Sequence, residues 1–479
     1  MAYEPRIIAY LCTWCSYTGA DTAGINRLKS PYNIHAIRVP CSGRVSPELI
    51  MRTFDQGADG VLVLACHIGE CHYDSGNHRT AKRLPLLQAL MSFVGLEQER
   101  MHLDYVSASE GERFARIVND FTENVRRLGP VNWRVSKDQV SRIVEGKVGW
   151  DWKMDANLNL LSRVPDPSSI LEQKTNMIRA KAKEILATNQ VSCVIGYEVG
   201  SRGWTRPAFI YHPEETDRLI WNHHCTHNLT LYLSEKLNPN NHLPFNNSPH
   251  RVALVVKPCD SRTINVLLAE NQIKREQVYV IGVSCEGIVQ DHNRVSSIND
   301  PTENEIAGNL QTRCQLCSEP VPVIYDTFIG ESIISGQNVA GSGFIPLPTI
   351  TQFQNMSLSA RMEFWVSQFD RCIRCYACRQ VCPLCNCPTC LYERDDSLWV
   401  GMNINVTEKR TFHLGRAYHL AGRCIGCGEC ERVCPMNIPI GYLNSMLAQE
   451  IKENFNFVAG LLPVISPCVT KLGSEEVYG

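Results

Sequence analysis

No apolar run in this 479-residue chain approaches the roughly 18 residues that a membrane span needs. The longest apolar stretch of the tail, 457–469, is broken by Pro463 and Pro467. Charge of either sign is not in excess: 47 basic and 49 acidic residues leave a net charge of −2, so no global field gathers nucleic acid or anionic lipid. The N-terminus, MAYEPRIIAYLC, lacks a basic region followed by a long apolar segment; no secretory signal is expected, and the protein reads as cytoplasmic. Glycine-rich nucleotide signatures are missing too: no G-x-G-x-x-G opens a helix after a strand, and there is no P-loop. Hydrolytic motifs of the G-x-S-x-G and H-E-x-x-H kinds do not occur. What remains is ordinary soluble-protein composition, 44% hydrophobic and 20% charged, in a chain long enough for two to four domains.

Cysteine is the exception to this ordinariness. The chain has 23, and eleven of them fall between Cys372 and Cys434. A small secreted disulfide scaffold shows such density, but a long chain without a signal peptide points instead to metal ligands. Cys372, Cys375, Cys378 and Cys382 are separated by two, two and three residues and followed by Pro383. The pattern recurs at Cys424, Cys427, Cys430 and Cys434, followed by Pro435. This is the bacterial dicluster ferredoxin run, in which the fourth cysteine of each motif ligates the other motif's cluster. Cys372, Cys375, Cys378 and Cys434 are thus expected to hold one 4Fe–4S cluster, and Cys424, Cys427, Cys430 and Cys382 the other. Zinc competes for any Cys-x-x-Cys pair, but the duplication with both prolines favours clusters. Between the motifs, Cys385, Cys387 and Cys390 are candidates for a further cluster or metal, or for alternative ligands of the first cluster.

The rest of the chain reads as α/β. Apolar β-rich runs at 7–11, 34–39, 61–65 and 103–106 alternate with helical stretches at 46–56, 83–94 and 111–128, which predicts an N-terminal parallel-sheet domain over 1–129. Residues 130–170, with Trp133, Trp150 and Trp152, form a connector. A second α/β domain spans 171–340, with strands at 191–197, 208–211, 252–256 and 278–283 and helices at 171–188 and 261–270. A Gly/Pro-rich linker occupies 341–360, the dicluster module 361–445, and an amphipathic tail 446–479.

Several cysteines outside the dicluster module follow predicted strands. Cys12, Cys41 and Cys66 each end one, Cys15 and Cys71 lie close by, and in a parallel sheet all strand ends open onto one edge. Any single one reads as a small buried hydrophobe, but five at one edge can supply the four ligands of a 2Fe–2S or 4Fe–4S cluster. His67, His72 and His78 are read as their hydrogen-bonding neighbours. Cys259 and Cys285 repeat the logic in the middle domain; with Cys314 and Cys317 they make a third 4Fe–4S site, against zinc or unliganded thiols. Lys257 and Arg262 bracket Cys259 and either cradle a phosphate or simply flank a strand–helix turn. Cys193, Cys225 and Cys468 read as structural, and His223, His224 and His227 as an exposed face of a helix-like WNHHCTHNL.

The strings CTWCSY, DTAG, CSGRV, GADGVLVLACHIGECHY and Gly76–Asn77, spread over residues 1–129, resemble the delta subunit of methyl-viologen-reducing hydrogenase. Ala65 and 68–70 depart from that family's usual Gly and Pro-Gly-Asp. The resemblance implies one 2Fe–2S cluster and electron delivery to heterodisulfide reductase, an electron-bifurcating flavoprotein complex. Residues ~171–450 resemble the iron–sulfur beta subunit of formate dehydrogenases and deazaflavin-reducing hydrogenases, through KPCDSR, IGVSCEG, CQLC, FDRCIRCYACRQVCPLCNC and FHLGRAYHLAGRCIGCGECERVCPMNIP. Relatives there bind FAD, but no glycine-rich flavin segment is recognisable. The expectation is an anaerobic electron-transfer subunit between a formate dehydrogenase or hydrogenase catalytic subunit and a heterodisulfide reductase-like flavoprotein. Electrons would enter at the dicluster module, cross the middle domain and leave through the N-terminal cluster. The alternative is an FAD-containing catalytic subunit exchanging hydride with a deazaflavin or nicotinamide; a nucleic-acid module finds no support.

Overall fold

A computed structural model describes residues 3–145, 168–201, 204–237, 251–289, 310–315, 317, 319–330, 347–394 and 399–468. Trp150, Trp152 and most of the connector lie outside the described residues, as do 341–346 of the expected linker.

Strands β1 (Ile7–Cys12), β2 (Ile34–Val39), β3 (Gly60–Ala65) and β4 (Met101–Tyr105) form a wholly parallel sheet in the order β2-β1-β3-β4. Side chains alternate across a strand, so Ile7, Ala9 and Leu11 of β1 face helix Gly111–Leu128 while Tyr10 faces the opposite layer. That layer contains helices Pro47–Asp55 and Gly76–Phe93. Ser46 caps the former, its hydroxyl accepting the Leu49 N–H at 3.2 Å with Pro47 in the first turn. The latter starts seven residues before the expected position and carries Pro85 inside it. Pro85 is exposed, on the solvent-facing side of the helix.

The middle domain holds β5 (Cys193–Val199), β6 (Thr205–Ile210), β7 (Val252–Val256), β8 (Val278–Val283) and β9 (Thr327–Ile329), ordered β6-β5-β7-β8-β9. Only β6 runs antiparallel to its neighbour among these described strands. Helices Ser168–Ala187 and Pro258–Ala269 pack on this sheet. WNHHCTHNL is not helical: it forms turns, and His223 is buried, with Nδ1 3.2 Å from the Gly287 carbonyl. The expected exposed histidine face is thereby corrected, because these residues plug the space beside the sheet rather than coat it.

The C-terminal module is built on helices Leu358–Arg371, Val406–His419 and Gly441–Phe455. Part of the expected linker is itself helical, Leu347–Gln354, and buries Phe353 against Phe93 of the N-terminal domain. Two shared cores set the order of the modules in space. One joins Phe54, Leu90 and Phe93 to Trp365, Leu414 and Leu447; the other joins the middle sheet to Leu384, Leu420 and Ile425. The dicluster module therefore lies against both other domains. The expected electron route instead places the middle domain between the other two. Ion pairs lock the first junction: Arg52 grips Glu408 at 3.0 and 2.7 Å, and Arg410 meets buried Asp55 at 2.9 Å. At the second, Arg423 forks onto Glu270, and Arg262 donates to the Ala459 carbonyl at 2.7 Å.

Candidate iron–sulfur sites

The parallel sheet gathers the N-terminal thiols. Cys12 ends β1, Cys41 lies two residues beyond β2, Cys66 follows β3, and Cys15 precedes helix Ser16–Ile25. The sulfurs of Cys12, Cys15 and Cys66 fall within 4.8 Å of one another, with Cys12 Sγ 3.5 Å from Cys66 Sγ. Cys41 Sγ lies 3.7 Å from Cys71 Sγ. Buried Ser16 ties the strand ends together, accepting the Cys12 N–H at 2.8 Å and donating to the Leu64 carbonyl at 2.7 Å. Gly76 leaves room for the sulfurs: a Cβ there would stand 2.1 Å from Cys41 Sγ and 3.2 Å from Cys71 Sγ. Its bond with Cys66 draws the Cys12 thiol down to about 6 and drives Cys66 up, while burial pushes Cys41 up to about 11. Held this way, Cys41 and Cys66 are poor anions by themselves, and a bound metal is what deprotonates such a group outright. His67 turns to Glu110, 2.6 Å away, and His72 stacks on Trp14, so these histidines brace the loops.

In the middle domain, Cys259 sits in the first turn of helix Pro258–Ala269, Cys285 follows β8, and Cys314 and Cys317 come from a short turn. All four line one cavity, together with Cys427 of the dicluster module. Burial pushes Cys285 up to about 12 and holds Cys259 well above the ordinary thiol range. Lys257 and Arg262 line the same cavity. The Lys257 ammonium bonds to the Tyr197 hydroxyl, to the His227 carbonyl at 2.5 Å and to Asp260 at 2.8 Å. Those bonds absorb its three donors. Cys193 and Cys225 are fully buried and do not line this cavity, and Cys225 lies beside Asn222.

The two dicluster motifs repeat in backbone as well as in spacing. Arg374 and Tyr376, two and four residues after Cys372, have φ of 53° and 58°. Gly426 and Gly428, at the same offsets from Cys424, have φ of 73° and 68°. Each left-handed pair coils its loop tightly, and a four-residue helix follows, Ala377–Gln380 or Glu429–Arg432. Non-glycine residues adopt this region at a cost of about 1–2 kcal/mol each, so the first loop is held by its surroundings. The Arg374 N–H points at Cys372 Sγ at 3.4 Å, and the Ile438 N–H at Cys434 Sγ at 3.5 Å. Cys378, Cys424 and Cys427 are raised by burial to about 11, 11 and 12. Cys382 is drawn down to about 5 by its bond with Cys385, which lies against it. Cys375 and Cys387 are exposed, and Cys390 packs near Tyr392, away from that pair.

Three polar groups escaped the sequence reading. His413 sets Nε2 3.3 Å from Cys372 Sγ; burial and then the cations Arg416 and Lys409 lower it to about 3, which keeps the ring neutral. Arg416 reaches the Cys378 carbonyl at 3.0 Å. Arg313 projects into the middle cavity and lies 3.9 Å from Glu429. The available signal was a His and an Arg three residues apart, between the two cysteine motifs.

Residues 368–438 match the 4Fe–4S dicluster domain, and residues 7–129 match the delta subunit of methyl-viologen-reducing hydrogenase. The chain is 44% identical over 128 residues to an iron-sulfur subunit of the vhc F420-non-reducing hydrogenase of Methanococcus voltae, covering 27% of this chain and 89% of that protein. It is 45% identical over 128 residues to the corresponding iron-sulfur subunit of the F420-non-reducing hydrogenase of Archaeoglobus profundus, covering 27% and 93%. Over 127 residues it is 43% identical to one subunit of the ferredoxin/F(420)H(2)-dependent CoB-CoM heterodisulfide reductase of Methanosarcina acetivorans, covering 26% of this chain and 16% of that one. No helix among the described residues is long and apolar enough to cross a membrane. An iron–sulfur subunit related to hydrogenase and heterodisulfide reductase subunits accounts for all of these matches, and through residues 7–129 the chain belongs to the family of methyl-viologen-reducing hydrogenase delta subunits.

Proposed function

We propose that the chain is an electron relay in an anaerobic multi-subunit oxidoreductase. It would join a formate dehydrogenase or hydrogenase catalytic subunit to a heterodisulfide reductase-like, electron-bifurcating flavoprotein. The observation that carries this reading is the cavity in which Cys427 joins Cys259, Cys285, Cys314 and Cys317. It makes the middle site and the dicluster module neighbours, and the module shares its other core with the N-terminal domain. In this reading Cys372, Cys375, Cys378 and Cys434 hold one 4Fe–4S cluster, and Cys424, Cys427, Cys430 and Cys382 a second. The four middle cysteines hold a third, and four of Cys12, Cys15, Cys41, Cys66 and Cys71 a 2Fe–2S cluster. Bound clusters supply one-electron carriers. The chain's own part is to hold the sites in a fixed order and to keep water from them by burial.

Exposed Trp14, Ile68 and Tyr73 on the cysteine-bearing N-terminal loops suit a partner protein there. The test is iron, acid-labile sulfide and flavin per anaerobically purified chain, with about 14 iron atoms expected. Cys285→Ala should lose about four of them and leave the dicluster signals intact. Stoichiometric flavin would favour the catalytic alternative, and zinc without sulfide would end the relay reading.

A further inference from the structure

Helix Val406–His419 is buried along most of its length and carries three buried cations, Lys409, Arg410 and Arg416. The first two have oxygen partners: the Asp370 carbonyl at 2.6 Å for Lys409 and the Asp55 carboxylate at 2.9 Å for Arg410. Arg416 is only 4% exposed, yet among the described residues no carboxylate lies within ion-pair distance of it. One nitrogen donates to the Cys378 carbonyl at 3.0 Å; its Nε and Nη1 are buried without a hydrogen-bond partner. A buried charge with two idle donors is strongly unfavourable unless an anion faces it.

The groups that face it are sulfurs. Its hydrogen bond is to the backbone of Cys378 itself, and Cys385, Cys430, Cys382 and Cys378 are the groups whose charge acts on it. Cys378 belongs to the first cysteine motif's site, Cys382 and Cys430 to the second. Arg416 thus stands where the two sites meet. The guanidinium stays protonated at any working pH, so this charge is permanent.

We propose that Arg416 raises the reduction potential of the dicluster module, through Nε and Nη1 donated to the sulfur of the site that contains Cys382 and Cys430. A fixed cation in a buried environment favours the more negative, one-electron-reduced state, and hydrogen bonds to the sulfurs act in the same direction. The inference rests on the iron–sulfur reading above.

The experiment is an EPR-monitored redox titration of the full chain, anaerobic, with iron and sulfide counted in every sample. Arg416→Gln should make reduction at least tenfold less favourable at one dicluster signal, a fall of about 59 mV for a one-electron couple. Arg416→Lys, which keeps the charge, should recover most of that shift. Full iron with unchanged potentials in Arg416→Gln would overturn the proposal, as would equal shifts in both variants. Should Arg416→Gln fail to hold iron, pulsed EPR on the reduced unaltered chain with 15N-labelled arginine decides: a nitrogen coupling to the reduced centre supports the proposal, and its absence overturns it. Lack of any iron–sulfur signal in the unaltered chain would instead bring down the functional reading itself.

Discussion

Gly76→Ala separates a metal-holding N-terminal site from a merely well-packed one. Gly76 opens helix Gly76–Phe93, where alanine is ordinarily preferred over glycine by about 1 kcal/mol. On propensity alone the substitution should stabilise the protein. The added Cβ, however, would stand 2.1 Å from Cys41 Sγ and 3.2 Å from Cys71 Sγ. Ordinary contact begins near 3.5 Å, so the Cys41 sulfur must retreat by about 1.4 Å. Metal–ligand distances tolerate about 0.2 Å. The expected result is loss of about two iron atoms and of the N-terminal cluster's spectroscopic signature, with the dicluster signals unchanged. The assay is iron and sulfide per chain beside low-temperature EPR. Full iron content together with a raised melting temperature would refute the reasoning, since it would mean that the glycine does not serve the sulfurs.

The remaining predictions concern the junction between the N-terminal domain and the dicluster module. Asp55 accepts bonds from Trp133 Nε1 at 3.0 Å, Arg410 at 2.9 Å and Thr411 at 3.2 Å, all buried. Asp55→Asn leaves Arg410 buried without its counter-charge and should cost about 3–5 kcal/mol, read from urea midpoints. Glu48 is lifted by burial, but bonds from His419 at 2.9 Å and Tyr392 at 2.8 Å win, and its carboxyl stays below its ordinary 4.5. A carboxyl more acidic folded than unfolded adds stability above its unfolded value and loses it as the pH falls through the folded one. The stability gap between the unaltered chain and Glu48→Gln should therefore be widest near neutral pH and shrink below about pH 4.5. A gap that does not change with pH would contradict this. Gly95 has φ of 105°, and a Cβ there would lie 2.6 Å from Met362 Cβ. Gly95→Ala should destabilise the chain by about 1–3 kcal/mol in thermal melts.

Much of the local architecture was legible because it follows from short-range rules. The strands at 34–39, 252–256 and 278–283 and the helix at 111–128 stand where their apolar periodicity put them. Cysteines at strand ends follow from the period-two pleat and from the single open edge of a parallel sheet. Other features escaped because they depend on partners far away in the chain. WNHHCTHNL has a plausible helical rhythm, but hydrogen bonds such as His223 to Gly287 hold it in turns. Lys257 looked like one half of a phosphate cradle; what occupies it is Tyr197 and the His227 carbonyl, sixty and thirty residues distant. The Gly/Pro-rich 341–360 read as a linker, yet Phe353 within it finds a place against Phe93.

By itself, the sequence determined the chemistry of this protein: two four-cysteine motifs whose gaps suit a cubane, a delta-subunit-like strand-end cysteine set, and the absence of any charge surplus or hydrolytic motif. Those are properties of spacing and composition, and spacing survives without knowledge of the fold. Only the tertiary structure decided which sites are neighbours. The dicluster module touches both other domains because helices Leu358–Arg371, Val406–His419 and Gly441–Phe455 have apolar surface to bury, and the N-terminal domain takes it. The same burial carries Arg416 in among sulfurs contributed from two separate loops. Neither neighbourhood is written in any one segment: the first joins residues hundreds of positions apart, and the second brings a helix together with cysteines from the loops before and after it.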